Sequence, residues 1–207
     1  MALFRSAAFP SMILATALTQ CASDDHGPRR ARDARMVPAS RVDDSLELGR
    51  SATPRAALND QQIAMVSEAF HSAMLDQAKV VYPKTEDAAV KRFAQTLLAD
   101  HGRAKQEETD RFVELRLSPM ESPLSSELGV ESGKVLFSLR DAEGDDLDHR
   151  FIAAQVGQNQ RYLDLLDQQL LPNASEPSLR QMLDAFRPRV ELHLEMARGI
   201  QQALSNP

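Results

Sequence analysis

The chain has 207 residues, 43% hydrophobic and 26% charged, with a formal net charge of −6. That length supports one domain with a sizeable core plus a tail. The acidic balance, with no long Lys or Arg run in the later part, argues against nucleic acid as a partner, and the single cysteine, Cys21, excludes an internal disulfide.

Residues 1–21 read as an export signal. Arg5 supplies a positive end, and Ala7 to Leu18 is an apolar run too short for an ordinary membrane-spanning helix. Leu18-Thr19-Gln20-Cys21 resembles the lipobox of bacterial lipoproteins, which implies lipidation at Cys21 and, with Ala22 next, sorting to the outer membrane. Gln20 stands where that motif carries a small residue, so cleavage after Ala15-Thr16-Ala17, giving a soluble periplasmic protein, is the rival reading. The partners expected are the membrane, through the anchor, and other envelope proteins. Residues 22–56 are rich in Ser, Asp, Arg and Pro and lack periodicity. Such a segment buries too little surface to offset its ordering entropy and is expected to be a disordered tether.

Four long amphipathic helices are predicted over 57–207. The first runs from Asp60 to Tyr82, with Asn59 as N-cap and Gln62 as its capping-box partner; its stripe is Ile63, Val66, Phe70, Met74, Gln77 and Val81. The second runs from Glu86 to Leu115, capped by Thr85, with Val90, Phe93, Leu97, His101, Ala104, Glu108 and Phe112 on one face. Residues 117–144 form a long connection broken by Pro119, Pro123, Gly129, Gly133 and Gly144, with room for a short helix over Val130 to Leu139. The third long helix runs from Asp146 to Leu171, with Ile152, Val156, Asn159, Leu163, Leu166 and Leu170 inward. The fourth runs from Glu176 to Leu204, capped by Ser175, with Leu179, Leu183, Phe186, Val190, His193, Ala197 and Ile200 inward and a kink expected at Pro188. Two hairpins joined by one long crossover make an all-α, ferritin-like four-helix bundle the expected fold.

Near the middle of the four stripes stand Met74, His101, Asn159 and His193. Two readings are open. His101 and His193 are core histidines hydrogen-bonded to a neighbour, with Asn159 as the core polar partner. Or they bind a transition metal weakly, with Glu108 or water completing the shell. No other cofactor is expected. Glu68-Ala69-Phe70-His71 has the Glu-x-x-His spacing of di-iron bundles. At about 100° per residue, however, Glu68 points away from the first stripe and His71 falls on its flank. His149 is expected at a helix end beside Asp148. There is no Gly-rich phosphate loop, Gly-x-Ser-x-Gly or His-Glu-x-x-His, so no catalytic residue is assigned.

Three stretches carry a family resemblance: Val90-Lys91-Arg92-Phe93-Ala94 through Asp100-His101, Leu147-Asp148-His149-Arg150-Phe151-Ile152, and Pro188 through His193-Leu194 to Ala197. Over about residues 58–204 the chain resembles the bacterial domain of unknown function 4142, ferritin-like envelope proteins. The resemblance implies a glutamate where Met74 stands and a histidine where Asn159 stands. This chain therefore keeps two of four inward polar positions, His101 and His193, which implies weak metal binding or none. The function expected is a non-catalytic binding or structural module of the cell envelope, with a metal-binding storage or stress-response protein as the alternative.

Overall fold

The computed structural model describes residues 57–206. The expected signal, lipidation site and tether lie outside the described residues. Every regular element among the described residues is helical. α1 spans Asp60–Val81, α2 Ala88–Leu115, α3 Pro123–Asp141 and α4 Gly144–Leu165. α4 runs on through a π turn, Leu166–Leu170, into the short α5, Leu171–Asn173; α6 spans Pro177–Ser205.

The helix starts follow local chemistry. Asn59 and Gln62 form the expected capping box on α1. α2 starts later than expected, and Asp87 caps it instead of Thr85. Its carboxylate accepts from the N–H groups of Ala89 and Val90, both at 2.8 Å, and a negative charge suits that end of the helix dipole. α6 is capped by the Glu176 side chain, with Pro177 in the first turn. Ser175, expected as that cap, instead donates its N–H to Asp60 at 2.8 Å and so ties the start of α6 to the start of α1. The helix continues through Pro188.

The largest departure lies in the connection. The expected short helix is the 19-residue α3. Ser122 and Ser125 form a capping box, with Pro123 in the first turn. Gly129 and Gly133 face open space and leave the helix unobstructed. Leu124 and Leu139 are buried, and Leu128 and Val135 pack beside them, largely against α1. Burial of that stripe outweighs the glycine penalty of roughly 1 kcal/mol per residue. The Lys84 ammonium donates to the carbonyls of Arg140 and Ala142 at 2.9 and 2.6 Å, which meets the open end of α3. Arg161 of α4 pairs with Glu127 and Glu131 and holds the opposite side.

α1 packs on α2 and α3, α4 packs on α6, and contacts of α2 with α6 and of α1 with α4 close the set. The apolar core falls into two clusters. One gathers Ile63, Phe70, Met74, Leu166 and Leu170; the other gathers Val81, Phe93, Leu97, Phe151 and Ile152. The π turn keeps Leu166 and Leu170 fully buried. Where the clusters meet, the helices turn buried polar side chains inward: His71, Gln77, His101, Glu108, Gln155, Asn159 and His193. No helix among the described residues is long and apolar enough to cross a membrane.

Candidate functional site: a buried histidine chain with a carboxylate at each end

The site is a line of polar groups through an apolar interior. His71 of α1 and His101 of α2 face each other, Nδ1 to Nδ1, at 2.9 Å. The other nitrogen of His71, Nε2, lies 3.2 Å from Oε1 of Glu108, about two turns beyond His101 on α2. That same oxygen accepts from the Ser67 hydroxyl, and Ser67 Oγ in turn accepts from the Tyr162 phenol at 3.0 Å. On the other side, the rings of His101 and His193 lie 5.1 Å apart, centre to centre. His193 Nε2 meets Asp100 Oδ2 at 3.0 Å, and the Arg189 guanidinium stands 3.6 Å from that oxygen.

Aromatic rings enclose this line. Phe186 sets its edge geometry against both His71 and His101, at 4.6 and 5.5 Å, and Phe70 approaches His101 at 5.4 Å. Phe70 also stacks on Tyr162 at 3.7 Å. The electrostatic result is that His101 and His193 favour the neutral imidazole. Burial, and then the proximity of His71 and His193, holds the His101 pKa well below the ordinary histidine value. Burial lowers that of His193 as well, against the opposing pull of Asp100. Tyr162 is pushed upward, by burial first and the Glu108 charge second, so its phenol stays a donor.

Two proton assignments satisfy the chain, since one hydrogen serves the Nδ1–Nδ1 contact. With His71 directing Nε2–H at Glu108 and accepting at Nδ1, His101 donates from Nδ1 and keeps a bare lone pair on Nε2. With the hydrogen of that contact on His71, His101 accepts at Nδ1 and carries its hydrogen on Nε2. Four buried atoms of this region have no partner among the described residues in either case: His101 Nε2, His193 Nδ1, Glu108 Oε2 and Asn159 Oδ1.

The three residues named as metal ligands thus lie along one chain, yet they do not converge. His101 and His193 are adjacent, while Glu108 is reached through His71. No group of three or more His, Cys, Asp or Glu side chains is placed to hold a metal ion among the described residues. Asn159 is fully buried as expected, but its amide donates to the Gln155 carbonyl at 2.8 Å, not to a histidine. Gln155 and Gln77 pair across α4 and α1 at 2.9 Å. Met74 is apolar core, and His149 is exposed at the start of α4.

The Glu68–His71 reading needs a correction in one half. Glu68 does point outward, toward Lys105 at 3.7 Å. His71, placed on the flank of the first stripe, is 1% exposed and is the residue that links Glu108 to His101. The sequence carried a signal for it. Ser67, His71 and Met74, with Ile63 and Phe70, fill a face about two positions per turn wide, and a helix buried against two neighbours shows such a face. Asp100 was legible only as half of the Asp-His pair; its partner proves to be His193, from another of the three matched stretches.

Comparison with curated proteins finds no match, and none is found among solved structures. A family model does match, over residues 46–200, which takes in every residue of the histidine chain. The chain belongs to the DUF4142 family, a domain of unknown function.

Proposed function

We propose that this chain is an exported, lipid-anchored protein of the cell envelope whose helices form a ferritin-like four-helix bundle, with α3 as an elaborated crossover, acting as a non-catalytic binding or structural module. One observation carries the non-catalytic reading: the inward polar side chains are mostly spent on one another. Ser67, His71 and Glu108 form one linked group and Asp100, Arg189 and His193 another, with His101 joining them. Among the described residues of this region, the hydroxyl set beside a carboxylate, Ser67 on Glu108, is buried and accepts from Tyr162 in turn, which leaves no open position there for a reacting atom. The envelope assignment draws on Arg5, the apolar run Ala7 to Leu18 and Cys21. Fractionation of cells expressing the wild type and Cys21→Ser checks the anchor, with the variant expected in the soluble fraction.

A second reading, weak transition-metal binding, draws on Nε2 of His101 and Nδ1 of His193, which have no partner among the described residues and sit on adjacent rings. Their outer partners, His71 and Asp100, are the kind that orient ligating imidazoles. Elemental analysis and thermal melts separate the two readings. The structural chain predicts that chelator leaves the wild-type melting temperature unchanged, while His101→Ala lowers it with or without chelator. About one equivalent of metal per chain, lost in His101→Ala and followed by chelator-sensitive melting, overturns the non-catalytic structural reading in favour of a metal centre.

A further inference from the structure

A cavity of about 370 Å³ opens between α2 and α6. His71 and Glu108 form its floor, so it leads from the surface to one end of the histidine chain. Glu107 and Arg111 stand at its α2 side. Met182, Ala185 and Phe186 make an apolar wall on α6. The cavity falls in the size range of small-molecule sites, with an apolar wall and a few convergent polar groups.

We infer that this cavity binds a small amphipathic cation, a primary ammonium carried on an apolar body, with Glu108 as the charge that receives it. Three observations support the assignment. Glu108 is 4% exposed, and its carboxylate is only half satisfied: Oε1 takes Ser67 and lies against His71, while Oε2 has no partner among the described residues. A buried carboxylate oxygen without a donor is costly, and an incoming N–H group is what it lacks. The charge of the lining has the same sign. Two carboxylates, Glu107 and Glu108, face one guanidinium, and Arg111 is engaged with Glu114 at 2.9 Å. Finally, the wall of Met182, Ala185 and Phe186 offers surface for a hydrocarbon or aromatic body, with the adaptable thioether of Met182 tolerant of its shape. A metal ion is a poorer fit, because among the described residues no group of three or more His, Cys, Asp or Glu side chains is placed to hold one, there or elsewhere.

The inference rests on the reading of the domain as a binding module. Its test is calorimetric titration of the full chain with phenethylamine, with phenethyl alcohol as the neutral isostere, alongside melting curves. The amine is expected to bind saturably and to raise the melting temperature with concentration, while the alcohol does neither. Glu108→Gln should weaken binding by about tenfold or more, as loss of a charge-assisted hydrogen bond does. Ala185→Phe, at an exposed position on the rim, should abolish binding by filling the cavity while the melting temperature without ligand stays near wild type. This second variant keeps the test decisive if Glu108→Gln fails to fold. Equal binding of amine and alcohol, or amine binding untouched by Ala185→Phe, overturns the site. Metal bound at His101 in the same preparation would instead overturn the binding-module reading beneath it.

Discussion

The two carboxylates that end the histidine chain sit in opposite surroundings. Asp100 is 13% exposed at its side chain and has both His193 and Arg189 beside it, so water and a cation share its charge. The Glu108 side chain is 5% exposed, has no Lys or Arg partner among the described residues, and leans on Ser67 and His71. The same residue chemistry thus makes an anchored, solvated end and a dry end with an unmet oxygen. A carboxylate with a guanidinium and water at hand is a stable terminus. One that depends on neutral or weakly charged donors is where a ligand, a proton or a mutation has most effect.

The largest break in this comparison should come from His71→Ala. It removes the ring that separates Glu108 from His101 and leaves a hole and a less satisfied carboxylate, so about 3 kcal/mol of stability should be lost in urea titration. Next comes pH. His101 and His193 have folded pKa values below the ordinary value of about 6.5. For a base lowered in the folded state, the unfolded chain takes up protons that the folded chain refuses. Stability is therefore full above about pH 6.5 and falls as pH drops below it, by up to ~1.4 kcal/mol per pH unit for each histidine until its folded pKa is reached. Urea midpoints measured from pH 8 to pH 5 should show this fall, and His101→Ala, though less stable throughout, should show a shallower one. The smallest effect belongs to Arg189→Ala at the solvated end. Its side chain is 46% exposed, and the loss should stay within about 0.5 kcal/mol. A loss as large as that of His71→Ala would mean that the two ends are not different after all.

How much of this site was legible in sequence follows from geometry. His101, Glu108 and His193 each fall on a stripe that recurs every three or four residues, and each is buried. Asp100 is adjacent to His101 in sequence and so about 100° away around the helix, and nothing in a one-helix pattern says that it reaches α6. Likewise Tyr162 and Ser67, 95 residues apart, are joined by a hydrogen bond that no periodicity encodes.

Local chemistry and hydrophobic period together determined the all-helical class, most helix boundaries, the Asn59–Gln62 cap and the burial of Met74, His101, Asn159 and His193. Those depend on interactions within a few residues or on the burial of one face, and both are written along the chain. Tertiary structure alone decided that 123–141 is one long helix, because the gain comes from its packing largely on α1. It alone decided that His71 is the hub of the polar chain and that Glu108 ends it beneath a cavity. The reason is common to both. A side chain on the edge of a helix face is turned inward or outward by its neighbours, and those neighbours come from other helices.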